Sequence, residues 1–226
     1  MKEQAEPYLT SKGWIYREIR RSIITGRRNP GERLDLEELS TSFGTSITPV
    51  RDALQMLSQE GLVTIKPRSG YFVVHVTLKQ LRDLLEFREI LELASVERAA
   101  ARITQDQLRE LEQVHAGYAG DDDESYERYM DENRHFHYLI AKASGNQELA
   151  DALGHLHDRL VRFMVLIQVA DTLEPRHARI TEVLRSHDVA AARQRMLEEV
   201  NETHDAILER VIEKDGAFWR LGEGAR

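Results

Sequence analysis

Apolar residues in the first third of the chain recur at helical spacing. Ile15, Ile19 and Ile23 follow one another every four residues, which places them on one face of a helix that Gly26 ends. Asp35 precedes a second apolar stretch and carries the side chain of a helix N-cap. The pattern therefore predicts two helices joined by a turn.

A third helix and a hairpin follow. Ser46 is a second N-cap candidate, and Pro49 lies in the first turn of the helix, where a missing N–H does no harm. The buried face of this helix is predicted to consist of Val50, Leu54 and Leu57. Two β-branched or aromatic runs, 62–65 and 71–74, flank the turn residues 66–70 and predict a β-hairpin.

From Thr77 onwards the chain shows helical signals and no strand signal. Thr77 and Gln80 form a capping box that begins a long helix, and further caps divide the rest into short-linked helices. The fold class expected is mainly α: an N-terminal winged helix-turn-helix (three helices plus a β-hairpin), then an all-α bundle of six to seven helices. The expected domains are 8–76 and 77–214, with a flexible tail at 215–226.

Composition places the chain among globular proteins with an uneven charge distribution. Of 226 residues, 41% are hydrophobic and 31% charged, there is no cysteine, and the net charge is −8. Residues 1–77 carry 11 basic against 9 acidic residues, whereas residues 78–226 carry 20 against 30. Disulfides and thiolate metal sites are excluded, and no run is long and apolar enough for a membrane helix. Only the N-terminal third suits a polyanionic partner.

The chemistry at the start of the third helix suits DNA. In a helix-turn-helix the first residues of the second helix face base edges, while hydroxyls hold phosphates. Arg51 can reach the O6 and N7 atoms of guanine, and Gly70 lets the backbone of the wing approach DNA closely. The residues assigned to DNA are Ser46, Thr48, Pro49, Arg51, Lys66, Arg68, Ser69 and Gly70. The alternative is purely structural: Ser46 only caps its helix, and Arg51 pairs with Asp52 or Glu60.

Arg88 stands out in the first helix of the bundle. It lies at helical spacing from several leucines, and a buried guanidinium needs an anionic partner. That partner is either Glu92, four residues on, or an anionic ligand.

Three predicted helices direct nitrogen and oxygen donors towards one interior. Asn133 and His137 share a helix face, and His177 and Glu199 lie on the apolar sides of their own helices. Imidazole and carboxylate groups suit Zn, Ni, Mn or Fe, and hydrogen-bonded core histidines are the alternative. The remaining histidines (75, 115, 135, 155, 157, 187 and 204) are interpreted as surface or packing residues.

The N-terminal third resembles the winged helix of the GntR family of bacterial transcription regulators. The similarity runs over residues 8–75 and includes PGERL at 30–34, SITPVRDAL at 46–54 and PRSGYFV at 67–73. The resemblance implies operator binding. It also marks one departure, because the family usually has arginine where this chain has Ile47.

Residues 78–214 resemble the FCD domain, the helical sensor of the FadR branch of the family. The matching stretches include LEFR at 85–88, NRHFH at 133–137, AKASGN at 141–146 and RHARI at 176–180. The resemblance implies a divalent metal held at positions 133, 137, 177 and 199. Asn133 replaces the usual Asp, and Glu199 replaces the usual His.

That resemblance also implies a small carboxylate effector, bound by Arg88, Asn133, His137 and His177. The metal set is Asn133, His137, His177 and Glu199. Two alternatives stay open: a metal-free pocket that binds the carboxylate directly, and a structural pair between Glu199 and Arg195.

The expected function is a cytoplasmic, homodimeric transcription regulator, acting as a repressor whose affinity for double-stranded operator DNA a small organic acid controls. It is not expected to be an enzyme or to contact a membrane. Two other classes compete: a metal-dependent enzyme using His137, His177 and Glu199, and an architectural protein that binds DNA without sequence preference.

Overall fold

The computed structural model describes residues 11–114, 123–167 and 173–215. Contacts divide the chain into two compact units, with the boundary between His75 and Val76. The elements of the first unit are α1 (Ser11–Ile24), β1 (Arg33–Leu34), α2 (Leu36–Ser42), α3 (Ile47–Gln59), β2 (Val63–Lys66) and β3 (Gly70–Val73). The elements of the second are α4 (Leu78–Ala100), α5 (Gln105–Glu112), α6 (Asp123–Ala143), α7 (Gln147–Ile167), α8 (Leu173–Arg185) and α9 (Val189–Asp215).

The first unit is a winged helix-turn-helix. The isoleucines of α1 are buried at 3% exposure or less and pack with the apolar face of α3. The Asp35 carboxylate caps α2 by accepting hydrogen bonds from the backbone N–H groups of Glu37 and Glu38. The turn between α2 and α3 contains Gly44, whose φ of 61° lies in the left-handed region that glycine tolerates. The helix α2, this turn and α3 form the helix-turn-helix, with α3 as its second helix.

The wing is a small antiparallel sheet with the strand order β1-β3-β2. The predicted hairpin is β2 paired with β3, with Lys66 opposite Gly70 at the tip. The structure adds the two-residue strand β1, in which Arg33 lies opposite Phe72. Two residues are too few to give an alternating pattern, so sequence periodicity did not indicate this strand.

The second unit is helical throughout its described residues. Thr77 and Thr104 each form a complete capping box, with Gln80 and Gln107 respectively, as the sequence predicts. Its apolar core is built by residues of α4, α5, α6, α8 and α9, among them Val96, Phe136 and Met196. Six helices, α4 to α9, make up the described part of this bundle, so the predicted fold class is confirmed.

Some predictions fall on parts of the chain that are not described. The predicted flexible tail lies outside the described residues apart from Asp215, the last residue of α9. Within the described residues, none of the helices combines the length and apolar character needed to cross a bilayer.

Candidate nucleic-acid interface and buried polar cluster

The N-terminus of α3 presents polar side chains to solvent. Ser46 occupies the N-cap position with extended backbone, yet its hydroxyl makes no capping hydrogen bond. Ser46, Thr48 and Arg51 are all exposed, while Pro49 is half-buried in the first turn. The capping role that the sequence offered as an alternative for the Ser46 side chain is therefore absent here.

Neither of the carboxylates considered as partners of Arg51, Asp52 and Glu60, forms a salt bridge with it. The Glu60 carboxylate accepts a 2.6 Å hydrogen bond from the Tyr16 hydroxyl and lies 3.7 Å from Nε of Arg20. Within the part of the chain that the structure describes, Arg51 forms no salt bridge with any carboxylate, Asp52 included.

The wing tip is a turn of three residues between β2 and β3. Arg68 adopts a φ of 62° and Gly70 a φ of 106°, so both lie in the left-handed range. Lys66, Arg68 and Ser69 are exposed, and the Lys66 ammonium stands 4.6 Å from the centre of the Phe72 ring. The wing tip thus carries two exposed cations, Lys66 at the end of β2 and Arg68 in the turn.

A different arrangement occupies the interior of the bundle, where Arg88 is only 1% exposed. Its Nε lies 3.4 Å from Oε1 of Glu92, and its Nη2 lies 3.4 Å from both carboxylate oxygens of Glu199. The structure therefore confirms the predicted partner Glu92 and adds a second carboxylate from α9. Arg195, the other partner considered for Glu199, instead pairs with Glu198 at 2.7 Å.

Two histidines complete this cluster around Glu92. Oε1 of Glu92 lies 2.9 Å from Nδ1 of His137 and 3.0 Å from Nε2 of His157. The contact with His157 is a hydrogen bond, whereas neither ring nitrogen of His137 has a hydrogen-bond partner among the described residues. His137 is fully buried, and its Nε2 lies 3.8 Å from Oε2 of Glu199.

Burial and charge shape the titration of the cluster. Burial lowers the pKa of His157 to about 4, and this effect outweighs the hydrogen bond that the His157 ring donates to Glu92, which raises the pKa. Burial also acts to raise the pKa of the Glu92 carboxyl. The charge of His137, contacts with both histidines and the charge of Arg88 act against it and hold that pKa well below its usual range. Glu92 is therefore a carboxylate and His157 a neutral imidazole at neutral pH.

The cluster holds two acidic side chains for one guanidinium. Glu92 and Glu199 each lie 3.4 Å from a nitrogen of Arg88, so these three groups by themselves sum to one negative charge. An uncompensated buried charge is costly, so a cation bound beside these carboxylates would be stabilised.

The structure brings the other predicted site residues to this region in different ways. The His177 ring stacks on Phe136 with 3.7 Å between centroids and lies edge-on to His137 at 5.3 Å. The Asn133 side chain is buried and its amide nitrogen lies 3.9 Å from Sδ of Met164. His137 and Glu199 face each other at 3.8 Å, while Asn133 contacts a thioether.

His157 is the functional candidate that the sequence interpretation missed. It was placed among surface or packing residues, but it is 2% exposed and hydrogen-bonded to Glu92. A signal was present, because His157 follows the buried Leu153 by four residues and precedes the buried Leu160 by three. The partner on α4, 65 residues earlier, gave no such signal.

The donor chemistry of the cluster fits a divalent metal. Within the described ranges, Glu92, His137 and His157 form a group whose potential ligand atoms all lie within 4.8 Å of one another. Two imidazoles and one carboxylate are ligands that zinc and related ions accept. The structure thus contains a set of side chains that could hold the type of ion implied by the resemblance.

A winged helix-turn-helix joined to a helical domain with a buried polar cluster defines a DNA-binding transcription regulator with a sensory domain. Family comparison identifies the two parts: residues 12–73 match the bacterial regulatory proteins of the gntR family, and residues 83–201 match the FCD domain. The chain belongs to the GntR family and carries an FCD effector-binding domain, and it is a transcription regulator rather than an enzyme.

Relatives of the whole chain are regulators of the same type. The chain is 30% identical over 211 residues to the uncharacterized HTH-type transcriptional regulator YdhC of Bacillus subtilis (strain 168), covering 88% of this chain and 92% of that protein. It is 29% identical to the HTH-type transcriptional repressor RspR of Escherichia coli (strain K12), covering 91% of both chains. The solved structure of E. coli McbR/YncC has the same fold, with a TM-score of 0.67, 21% identity and coverage of 90% of this chain and 99% of that chain.

Proposed function

We propose that this protein is a cytoplasmic homodimeric repressor. Its winged helices bind a near-palindromic operator in double-stranded DNA, and a small carboxylate effector in the helical domain lowers that affinity. The operator would be read through Arg51, with Ser46, Thr48 and Pro49 at the helix start and residues 66, 68, 69 and 70 of the wing at the DNA backbone. A homodimer is proposed because a near-palindromic operator has two half-sites, and a protein with two-fold symmetry can contact both of them.

The proposed DNA contact is supported by two polar side chains near the start of α3, Arg51 and Ser46, that lack the structural contacts considered for them. The Arg51 guanidinium has no carboxylate partner in the described chain, and the Ser46 hydroxyl is not used for capping. Backbone N–H groups at the start of α3 add a favourable site for a phosphate. Ile47 is half-buried at the first position of α3 and has no polar group for a base, so base discrimination there falls mainly to Arg51.

The observation that carries the effector proposal is the buried charge imbalance around Arg88. Arg88, Glu92 and Glu199 by themselves sum to one negative charge, which repels a carboxylate. A divalent ion reverses the sign to one net positive charge, which attracts a carboxylate. Effector and metal binding should therefore be coupled, with Arg88 as the resident cation and Asn133, His137 and His177 as polar neighbours of the ligand.

The residues predicted from the family pattern to hold the ion are Asn133, His137, His177 and Glu199. When bound, the ion would polarise and anchor the effector's carboxylate. The chain's own side chains orient that carboxylate: Arg88 donates hydrogen bonds to it, and the stacked His177 and Phe136 limit its position.

An effector changes DNA binding only if it binds the DNA-competent and DNA-incompetent arrangements with different affinity. A coupling of tenfold in operator affinity corresponds to about 1.4 kcal/mol of differential binding. Release of DNA upon effector binding is the direction expected for a repressor.

A thermal-shift screen of small mono- and dicarboxylates, each with and without Zn²⁺, tests the effector proposal. A ligand at about 100 times its Kd stabilises the native state by about 2.7 kcal/mol, which raises Tm by several degrees for a domain of this size. We expect a rise for at least one acid, larger with Zn²⁺ and absent in Arg88→Met. Equal shifts with and without the ion would contradict the charge argument.

A further inference from the structure

The two positions at which this chain departs from the family's metal pattern are occupied by side chains with other contacts. Asn133 points its amide nitrogen at Sδ of Met164 at 3.9 Å. Glu199 faces Nη2 of Arg88 with both oxygens at 3.4 Å and accepts a 3.2 Å hydrogen bond from the Thr203 hydroxyl. Each would have to leave these contacts, at least in part, to become a ligand.

A second donor set lies on the other edge of the His137 ring. Nε2 of His137 faces Glu199, whereas Nδ1 faces Glu92, and Glu92 also contacts His157. We infer that a divalent cation binds between Glu92, His137 and His157, on the Nδ1 side of His137, and that Glu199 acts as the counter-ion of Arg88 rather than as a ligand. This inference refines the proposed function by assigning the ion to a different set of side chains.

The contact between Glu92 and His137 is the first argument. Their atoms approach to 2.9 Å, yet the direction is wrong for a hydrogen bond from Nδ1. Nδ1 of His137 and Nε2 of His157 lie against the same carboxylate oxygen, and the two rings stand 5.0 Å apart between centroids at 29°, so the rings would tilt to share an ion. Ligand atoms about 2.0–2.2 Å from one ion in a tetrahedral site lie roughly 3.4 Å apart, and here two separations are 2.9 and 3.0 Å and all three ligand atoms lie within 4.8 Å of one another.

The second argument concerns buried polar atoms of these side chains that lack hydrogen-bond partners. The described residues offer no hydrogen-bond partner to Oε2 of Glu92 or to Nδ1 of His157, although both atoms are buried. All three residues are 2% exposed or less, so solvent does not reach them freely. Buried polar atoms without partners are rare and call for an explanation, which a bound ion supplies.

The three helices that carry the donors supply the third argument. Glu92 lies on α4, His137 on α6 and His157 on α7, and these helices pack against one another in the bundle. Such a site offers two nitrogens and one oxygen, which leaves a fourth tetrahedral position for a ligand. Arg88 lies beside Glu92 and its Nη1 has no partner in the described chain, so a carboxylate at that position would meet the guanidinium.

The test compares metal binding by matched variants of the full-length protein. Wild type, His157→Gln, Glu92→Gln, His177→Gln and Glu199→Gln are stripped with chelator and titrated with Zn²⁺ by calorimetry, and bound metal is counted by atomic emission. We expect one Zn²⁺ per chain for wild type and at least about a 100-fold weaker Kd for His157→Gln and Glu92→Gln, above the 10–100-fold typical of residues that only support a ligand. His177→Gln and Glu199→Gln should change Kd by less than about tenfold.

A second readout identifies the ligand atoms. In long-range ¹H–¹⁵N spectra of histidine-labelled protein, Zn²⁺ should shift Nδ1 of His137 and a nitrogen of His157 while the His177 resonances move little. Co²⁺ titration gives a tetrahedral absorption band that does not depend on any activity. Circular dichroism and melting curves confirm that each variant is folded, and a variant that fails to fold is replaced by the matching Asn substitution.

The possible outcomes distinguish between the two sets of ligands. Loss of Zn²⁺ in His177→Gln and Glu199→Gln with retention in His157→Gln would assign the ion to the family positions and overturn the inference. So would a wild-type protein that binds less than one ion per chain. Operator binding is measured on the same samples, because a protein that recognises its operator but binds less than one Zn²⁺ per chain overturns this inference while leaving DNA recognition in place.

Discussion

The two units of this protein use charged side chains in opposite ways. In the winged helix, Arg51, Lys66 and Arg68 are exposed, one near the start of α3 and two at the wing tip. In the bundle, Arg88, Glu92 and Glu199 are buried, and each depends on the others. The first arrangement leaves its charges open to solvent and to a polyanion, whereas the second encloses its charges among packed helices.

This contrast has an energetic consequence. Exposed charges contribute little to stability because water screens them, so they are free to serve recognition. Buried charges require compensation, so function and stability are linked in the bundle. Substitutions should therefore separate the two roles in the first unit and combine them in the second.

The largest effect is expected at Arg88. Arg88→Met leaves two buried carboxylates without their guanidinium, and breaking a buried pair costs about 3–5 kcal/mol in the free energy of unfolding. Chemical denaturation in the presence of chelator measures this loss without a compensating metal.

Lys79→Ala, on the same helix, is the matched control. Its 2.7 Å pair with Asp83 is exposed, so we expect a change within about 0.5 kcal/mol. Equal losses in the two variants would remove the distinction between buried and exposed charge.

A smaller effect, on DNA rather than on stability, is expected at Arg51. Arg51→Ala should weaken binding to the cognate operator by about 1–3 kcal/mol if the guanidinium reads a base, with an unchanged melting curve. Arg98→Ala, an exposed arginine of the other unit, serves as the control. Fluorescence anisotropy that gives the same operator Kd for wild type and Arg51→Ala would exclude base reading by this residue.

The wing should act on affinity without acting on sequence preference. Lys66→Ala removes one phosphate contact, so the slope of log K against log salt should fall by about 0.9, equally for operator and random DNA. Binding measured at several salt concentrations gives both slopes. A change confined to the operator would instead make Lys66 a base-reading residue.

The smallest effect concerns the cap of α2. Hydrogen bonds from the backbone N–H groups of Glu38 and Glu37 lower the pKa of Asp35 below its ordinary value of 3.8. Because the folded-state pKa is the lower one, the stabilisation is complete above pH 3.8 and is lost as the pH falls through the folded-state value. Asp35→Asn retains a capping oxygen but should lack this dependence. Melting curves of the two proteins between pH 2 and 6 should converge at the acid end, and parallel curves would contradict the assignment.

The sequence predicted the first unit more completely than the second. Turn residues, caps and the α3 motif act over a few residues, so Asp35, Pro49 and Gly70 could be assigned roles directly. The buried cluster depends on contacts between helices far apart in sequence, such as Glu92 with His157 and Arg88 with Glu199. Periodicity shows that a residue faces the interior, but it does not show which interior residue it meets.

The most direct test of the account is a comparison of two DNA duplexes with the purified full-length protein. One is the promoter upstream of its own coding region, and the other is a scrambled duplex of the same composition. We expect a preference of at least about 10³ for the promoter, and a loss of that preference when Zn²⁺ and an effector carboxylate from the thermal-shift screen are added together. Equal affinity for both duplexes under all these conditions would contradict the claim that α3 reads an operator under control of the helical domain.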